Sequence, residues 1–362
     1  MDLEQSTMET MVDRLQIFES FKNKKVFITG HSGFKGSWLT FVLDYFGAIT
    51  YGYSLEPKNE NDIIKNTKFS KNFNYCYNDI RDYKSLYKEL KNFNPDFIFH
   101  LAAQPLVLDS VSKPYYTHEV NYTGTLNILE SIRLLNLKSV NLFITTDKVY
   151  KNNNSNNPFI ESDSLGGSDP YSASKASSEI LIKSYYDTFF KNTGKELSTL
   201  RAGNIIGGGD WSENRLIPDI IKSYYNKEKL LLRNSKAVRP WQHVLDAIFG
   251  YLLLAYKMSN NNKYSGAWNF GPNKDEFISV MDIIKIFKQN GVNLNYSLSK
   301  NEFKETKNLT LDSSKSQKEL NWNKRWNIEE SILKTIIWYR KFFEGEPIIK
   351  LMENNLNEYI YD

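Results

Sequence analysis

Five side chains in two short segments have the right types and spacing for acid and base chemistry on an alcohol. Thr146, Asp147 and Lys148 follow an apolar run, and Tyr171 and Lys175 occur together further along the chain. A Tyr and a Lys four residues apart share one face of a helix, and Pro170 suits the start of that helix. The lysine ammonium lowers the pKa of the phenol, which can then accept a hydroxyl proton as a hydride leaves. The pattern predicts oxidation of an alcohol by a nicotinamide.

Asp147 and Lys148 exceed what that oxidation requires. Hydride transfer needs Tyr171 and Lys175, and the Thr146 hydroxyl can bind the same substrate oxygen. An additional acid and base indicate a further step, and elimination of water is the natural candidate. The simpler alternatives are that Asp147 and Lys148 cap the loop after a strand, and that the Tyr and Lys spacing arises by chance. The combination with Thr146 favours catalysis.

A glycine-rich turn, GHSGFKG (30–36), follows a predicted strand and opens a predicted helix. Glycines let the main chain approach a pyrophosphate, and the helix N-terminus supplies N–H donors and positive potential. The motif predicts a dinucleotide site formed by Gly30, His31, Gly33, Phe34, Lys35 and Gly36. The Lys35 side chain could either add charge near the phosphates or extend into solvent.

The second and third predicted strands bear on which dinucleotide is bound. Ser54 stands where NAD enzymes often place an acid for the adenosine ribose, and residues 51–60 contain no Arg for a 2′-phosphate. NAD is therefore favoured over NADP. Asp79 and Ile80 follow the third strand and could meet the adenine edge, although Asp79 could instead cap a helix.

The composition narrows the class of protein. The 362 residues include 46 basic and 42 acidic ones, with a net charge of +4 and no long block of one sign, so no nucleic-acid partner is expected. Cys76 is the only cysteine, and the histidines are scattered, so neither a disulfide nor a metal site is expected. The sequence shows no membrane span and no signal peptide, which predicts a cytoplasmic location.

Apolar strand-like and helix-like segments alternate through the first half of the chain. The alternation predicts an α/β fold with a doubly wound parallel sheet. We expect a lead-in over 1–20, a cofactor domain over 21–203 and mainly a substrate lobe over 204–362, with 239–260 returning to the cofactor domain. The polar segment 151–157 predicts a surface loop or a flap over the substrate. Expected strands are 25–29, 49–54, 74–77, 97–101, 140–145 and 198–202; expected helices are 35–46, 83–93, 119–135, 171–190, 217–225, 244–258, 280–288 and 328–343.

Nine motifs occur in a fixed order along the chain: GHSGFKGSWL (30–39), DIRD (79–82), HLAAQPLV (100–107), TTDKVY (145–150), GGSDPYSASK (166–175), RAGNIIGGGDW (201–211), RLIPDI (215–220), RPWQHVLD (239–246) and WNFGP (268–272). Together they resemble the CDP-glucose 4,6-dehydratase family of the extended short-chain dehydrogenase/reductase superfamily. Sister families acting on dTDP-glucose or GDP-mannose carry Asp-Glu or Ser-Glu where this chain has Asp147-Lys148. The resemblance runs from about residue 21 to 342 and implies a Rossmann-type fold.

The resemblance implies a closed redox cycle on bound NAD. Tyr171 would take the proton of the sugar 4-hydroxyl, assisted by Lys175 and Thr146. Asp147 would protonate the departing 6-hydroxyl and Lys148 would manage the C5 proton, after which the hydride returns to C6. The product would be CDP-4-keto-6-deoxyglucose.

The resemblance also implies the remaining contacts and the assembly. We expect further cofactor contacts from Leu101, Ala102 and Ala103. We expect substrate contacts from Gln104, Asn121, Asn204, Arg215, Leu216, Arg239, His243 and Asn269. The implied assembly is a homodimer through helices 119–135 and 171–190, or a homotetramer built from two such dimers.

Two departures from the family pattern leave the substrate open. Leu108 stands where the family usually carries Arg, and the loop 151–160 lacks the usual aromatic and basic residues. The alternatives are a 4,6-dehydratase acting on another nucleotide sugar, and an epimerase or reductase of the same superfamily. A catalytically inactive NAD-binding regulator is disfavoured because Thr146, Tyr171 and Lys175 are intact.

Overall fold

The computed structural model describes residues 14–152, 157–299 and 308–361. Its centre is a seven-stranded sheet with the order β3-β2-β1-β4-β5-β6-β11, in which every neighbouring pair is parallel. The strands are β1 Lys25–Thr29, β2 Ile49–Ser54, β3 Phe73–Tyr77, β4 Phe97–His100, β5 Val140–Ile144, β6 Leu197–Ala202, β7 Asn204–Ile206, β8 Leu230–Leu232, β9 Val238–Arg239, β10 Trp241–His243, β11 Gly266–Phe270, β12 Ile278–Ser279 and β13 Tyr296–Leu298.

Helices cover both faces of this sheet. A single π turn precedes α7 at Glu119–Thr123, and another extends α8 at Tyr186–Phe190. The helices are α1 14–19, α2 Phe34–Tyr45, α3 Ile63–Asn66, α4 Tyr83–Phe93, α5 Val107–Ser112, α6 Pro114–His118, α7 Gly124–Leu134, α8 Pro170–Tyr185, α9 Leu216–Asn226, α10 Val244–Asn260, α11 Val280–Gln289, α12 Ile328–Phe343 and α13 Ile348–Tyr361.

The alternation of side chains along the central strands explains why both faces are covered. In β1, Val26 and Ile28 join the core that contains α2 and α10, whereas Phe27 joins the core that contains α4 and α7. Successive side chains of a strand point to opposite faces, so fully apolar strands require helices on each side. The predicted doubly wound parallel sheet is confirmed, and its strand order reverses between β1 and β4, where ligands bind in such folds.

Three short strand pairs lie beyond the main sheet in the second half of the chain. They are β7 with β10, β9 with β12, and β8 with β13. The last strand of the main sheet, β11, also comes from this half and pairs with β6, although the sequence pattern did not predict it. The helix α10 packs on α2 and β5, so the second half contributes both a strand and a helix to the cofactor domain.

The two ends of the described chain are packed into the main core. Ile17 and Phe18 of α1 are buried, so packed structure begins before the boundary expected at Phe21. The helix α13 buries one face against the same core, although the sequence pattern did not predict it. Of the helices in the described ranges, none combines the length and apolarity needed to cross a bilayer. Most of the predicted loop 151–157, namely 153–156, lies outside the described residues.

Candidate active site

Two adjoining cavities form one cleft at the carboxyl ends of the central strands. Their volumes are about 250 Å³ on the side of the glycine turn and about 300 Å³ on the side of Tyr171. Five residues line both cavities and mark their junction: Lys35, Leu101, Ala103, Pro105 and Arg215. The cleft therefore brings residues of the predicted dinucleotide site and the predicted catalytic residues together in one site.

Two glycines of the turn lie so close to neighbouring main-chain atoms that they leave no room for side chains. Gly30 has a φ of +72°, and a Cβ atom there would lie 2.7 Å from the Ala102 nitrogen. A Cβ atom at Gly36 would lie 2.0 Å from the Gly30 carbonyl oxygen, so neither position accepts a side chain without movement. Gly33 starts α2 without a side-chain cap. The helix N-terminus therefore opens directly onto the smaller cavity, an arrangement suited to a pyrophosphate.

The smaller cavity fits a dinucleotide without a 2′-phosphate. Its lining includes Ser54, whose hydroxyl lies within hydrogen-bond distance of both the Ser32 hydroxyl and the Leu55 carbonyl. A hydroxyl pair here suits a ribose better than a phosphate, because the lining holds no arginine besides Arg215 at the junction. The predicted cofactor residues that line it are Gly30, Gly33, Phe34, Lys35, Gly36, Asp79, Ile80, Leu101, Ala102 and Ala103.

His31 does not line the cavity, so its predicted role as a cofactor contact stays a prediction. Its side chain is buried and its ring stacks on Tyr77, with ring centroids 6.0 Å apart. A Cβ atom at Gly52 would lie 2.4 Å from this ring, so the missing side chain of Gly52 makes the room. Burial lowers the pKa of His31 to about 4. The neutral His31 side chain therefore packs behind the glycine turn, in the protein interior.

Lys35 lies in the cleft at the junction of the two cavities, which decides between its two predicted placements. Burial, helped by the positive charges of Arg215 and Lys175, lowers the pKa of Lys35 to about 7. The negative charges of Asp147 and Asp210 act in the opposite direction. An anionic group in this cleft would favour the charged form of Lys35.

Thr146 connects the groups predicted for oxidation and for elimination. It caps the 3₁₀ turn Asp147–Val149, and its hydroxyl accepts a hydrogen bond from the Lys148 main chain. The same hydroxyl donates to Asp147 Oδ1 over 2.9 Å. The other oxygen, Asp147 Oδ2, is buried and makes no hydrogen bond in the structure, and burial raises the pKa of this carboxyl. A protonated Asp147 thus has a proton to donate.

The helix α8 presents Tyr171 and Lys175 to the same cavity. Asp169 caps it by accepting a hydrogen bond from the Ser172 main chain. Lys175 Nζ donates to the Ile144 carbonyl over 3.1 Å, which holds α8 against the end of β5. Burial lowers the pKa of Lys175 to about 8 and raises that of Tyr171 to about 12, while a hydrogen bond with Thr146 opposes the rise.

Four of the predicted substrate residues line the larger cavity with this group: Asn204, Arg215, Leu216 and Arg239. Arg215 approaches the buried Asp210 carboxylate at 3.6 Å, which holds its guanidinium near the junction. The same cavity is lined by Leu231 and Arg233, which the sequence analysis missed. Their only signal was a cation beside a short apolar run, which is common on protein surfaces.

Four other predicted substrate residues lie outside the cavity linings, because their polar groups bind the protein itself. The amide of Asn121 bonds the main chain of Gln104 and the Ser174 hydroxyl, and Gln104 bonds Thr117 and Leu106. Asn269 is fully buried and bonds Tyr150 and the carbonyls of residues 159 and 312. The ring of His243 caps α10 by accepting from the Leu245 main chain. The structure therefore gives these four residues contacts within the protein, and their contact with substrate stays a prediction.

Comparison with known proteins decides the family. A family model described as GDP-mannose 4,6 dehydratase matches residues 27–335. A CDP-glucose 4,6-dehydratase of Salmonella typhimurium is 36% identical, over 94% of this chain and 97% of that protein. This chain belongs to the nucleotide-sugar 4,6-dehydratase family. The membership expected from the motifs is confirmed.

Solved structures show the same fold. An epimerase of Methanothermobacter thermautotrophicus superimposes with a TM-score of 0.78 and 22% identity, covering 93% of this chain and 97% of that one. A dTDP-glucose 4,6-dehydratase of Bacillus anthracis, solved in complex with NAD, has a TM-score of 0.75 and 21% identity, covering 90% and 99%. The Rossmann-type fold expected from the sequence is therefore confirmed.

Proposed function

We propose that this dehydratase converts CDP-glucose to CDP-4-keto-6-deoxyglucose with NAD as its cofactor. The observation that carries the proposal is the Asp147-Lys148 pair, which lines one cavity together with Tyr171 and Lys175. The 36% identity to a CDP-glucose 4,6-dehydratase over nearly its whole length supports the same nucleotide sugar.

Tyr171 takes the proton of the sugar 4-hydroxyl in this scheme. Burial keeps its phenol protonated at neutral pH, so proton transfer requires neighbours that favour the phenolate. The Thr146 hydrogen bond and the Arg215 charge both act in that direction. Lys175, one turn further along α8, adds a cation held by the Ile144 carbonyl.

Asp147 and Lys148 serve the elimination. A 4-keto group acidifies the C5 proton, and water then leaves across C5 and C6. The raised pKa of Asp147 and its unpaired Oδ2 suit protonation of the departing 6-hydroxyl. Lys148, on the same 3₁₀ turn, handles the C5 proton.

Bound NAD would supply the hydride acceptor for the oxidation and the hydride donor after the elimination. The glycine turn and the start of α2 would hold its pyrophosphate, and Ser54 would face the adenosine ribose. Lys35 and Arg215 at the cavity junction would supply positive charge beside the phosphates of cofactor and substrate.

Asn204, Leu216 and Arg239 would bind the nucleotide sugar along the larger cavity, where Leu108 is also exposed. A leucine in place of the usual family arginine leaves a less polar wall at that point. A 4,6-dehydratase with a different nucleotide sugar is therefore the second candidate, and this apolar wall is the observation that favours it.

We also propose that the enzyme is cytoplasmic and forms a homodimer through one face built by α7 and α8. Exposed apolar side chains on this face include Leu134 of α7, Ile180 of α8 and Phe189 of the following π turn. Large exposed apolar side chains on neighbouring elements favour an interaction surface there. A tetramer would need a second, separate contact.

Mass measurement after incubation with CDP-glucose tests the proposed reaction, with dTDP-glucose and GDP-mannose in parallel. The expected product lacks the mass of one water molecule, and NAD supports many turnovers without accumulating in reduced form. An altered sugar of unchanged mass would identify an epimerase instead. Steady formation of NADH in proportion to product would identify a plain dehydrogenase.

A further inference from the structure

A buried polar cluster lies behind the catalytic residues, centred on Glu179 and Arg201. Both side chains are about as buried as the core, each with 4% of its surface exposed. The Arg201 guanidinium donates in parallel to Glu179, from Nε to Oε1 at 2.9 Å and from Nη2 to Oε2 at 2.8 Å. Neither residue lines the two cavities described above, so the pair does not contact substrate directly.

Two threonine hydroxyls complete the cluster from neighbouring strands of the sheet. Thr145, directly after β5, donates to Glu179 Oε1 over 2.6 Å. Thr199 of β6 donates to Glu179 Oε2 over 2.7 Å. The carboxylate thus receives four hydrogen bonds, an arrangement that fixes both its position and its negative charge.

The cluster touches the catalytic group at two points. Thr145 immediately precedes Thr146, so the hydrogen bond to Glu179 anchors the main chain that presents the Thr146 hydroxyl. Glu179 itself lies four residues after Lys175 on α8, on the same helix face. Its negative charge raises the pKa of Lys175 against the opposite effect of burial.

The other charged and titratable groups around Lys175 do not supply a negative charge that offsets the burial of its ammonium group. His100 on β4 is buried with its pKa lowered to about 3, so it is neutral. Lys35 on α2 and Arg201 on β6 carry no negative charge, and burial disfavours the ionised form of Asp147 after β5 by raising its pKa. A buried cation without a compensating anion is costly.

We propose that Glu179 is a positioning residue for hydride transfer, which holds Thr146 in place through Thr145 and supplies the buried negative charge that faces Lys175. This inference rests on the proposed function. The alternative is that the Glu179–Arg201 pair only joins α8 to β6. In that case, replacing either of the two threonines that bind Glu179 should change activity equally.

Matched threonine variants separate these roles. Thr145→Val and Thr199→Val each remove one hydroxyl from the same carboxylate, at similarly buried positions, and leave both charges in place. Thr145→Val should lower kcat about tenfold or more with KM changed only a few-fold, because small misplacements of catalytic groups are costly. The kcat of Thr199→Val should stay within about twofold of the parent value, and Thr145→Ser should retain nearly the parent activity because it keeps the hydroxyl. Equal losses in the two valine variants would overturn the positioning role.

Competitive acetylation of Lys175, read by mass spectrometry across pH, tests the electrostatic role without substrate or cofactor. In Glu179→Gln the midpoint of labelling should fall by about one pH unit, the order expected for loss of a nearby opposite charge. An unchanged midpoint in the folded variant would contradict the charge role. If Glu179→Gln does not fold, the threonine variants decide the inference. The labelling measurement needs no turnover. If the parent protein dehydrates no nucleotide sugar, the proposed function is wrong, but the measured effect of Glu179 on the pKa of Lys175 remains valid.

Discussion

Thr146 links the residue proposed for oxidation, Tyr171, to those proposed for elimination, Asp147 and Lys148. Its hydroxyl binds Asp147, accepts from the Lys148 main chain, and hydrogen-bonds with Tyr171. A change at one of these partners therefore alters the hydrogen bonding of the others. Variants that keep the Thr146 hydroxyl are consequently the cleanest probes of separate roles.

Replacing Tyr171 by Phe keeps the buried ring and removes the proton acceptor. Turnover should fall by about 10²- to 10⁴-fold, the usual effect of losing a general base. Binding of CDP-glucose, measured by calorimetry, should stay within a few-fold of the parent, since Asn204, Arg215 and Arg239 remain. Near-normal turnover in this variant would exclude Tyr171 from the mechanism.

Lys148→Ala should separate the two halves of the reaction. Thr146, Tyr171 and Lys175 remain, so the variant should still oxidise C4 and accumulate NADH, while exchange of the C5 proton with D₂O slows by roughly 10²-fold or more. The matched variant Asp147→Asn should retain more C5 exchange but fail to expel the hydroxyl. If Lys148→Ala loses C4 oxidation and elimination to the same degree, then Lys148 positions the substrate and does not act on the C5 proton.

The placement of the proposed catalytic residues in one cavity could be predicted from sequence, because they are close along the chain. Thr146 to Lys148 are consecutive, and Tyr171 and Lys175 share one helical turn, so local geometry brings each group together. Asn269 required knowledge of distant partners, because its hydrogen bonds to Tyr150 and to the Phe159 carbonyl are formed only in the folded molecule. His243 instead bonds a near neighbour, the Leu245 main chain at the start of α10.

At the scale of elements, the strands and helices with strong periodicity could be predicted. Strands β1 and β2 match their expected bounds, as do helices α4 and α12. The strand β11 was missed because a five-residue run flanked by glycine is ambiguous until it pairs with β6. The helix α13 carried a clear signal, since its buried residues recur at helical spacing, and the sequence analysis overlooked it.

The contact between α10 and α13 should make stability depend on pH. Asp246 of α10 accepts hydrogen bonds from the Tyr359 hydroxyl and the Arg325 main chain, and its second oxygen is unpaired. Burial raises its pKa to about 6. The folded state therefore binds more protons than the unfolded state between about pH 4 and 6, and stability should fall as pH rises through that window, by roughly 3 kcal/mol.

Asp246→Asn removes that titration while keeping an oxygen for both donors. Urea unfolding measures the free energy of unfolding at each pH. Between about pH 4 and 6 this free energy should fall by roughly 3 kcal/mol less in the variant than in the parent. The control is Asp275→Asn, at a 3₁₀ turn near the surface, which should leave the parent profile unchanged. Parallel profiles for the parent and Asp246→Asn would show that Asp246 keeps an ordinary pKa in the folded protein.

At the scale of the whole molecule, the helix α8 serves two surfaces. One face carries Tyr171 and Lys175 to the cavity, while Ile180 on the same helix is 61% exposed. A partner bound to the exposed face would cover Ile180 and leave the cleft open. Dimer formation would therefore stiffen the helix that positions the catalytic pair without entering the active site.

Sedimentation velocity on two matched variants tests that arrangement. Ile180→Glu places a charge in the centre of the proposed contact and should convert the dimer to a monomer, because a stable interface buries about 800 Å² per partner and does not accommodate an unpaired charge. Leu333→Glu makes the same change at another exposed position, on α12, and should keep the dimer. A parent protein that sediments as a monomer at micromolar concentration would exclude the homodimer. Dissociation of both variants would show that the contact lies elsewhere than on the face of α7 and α8.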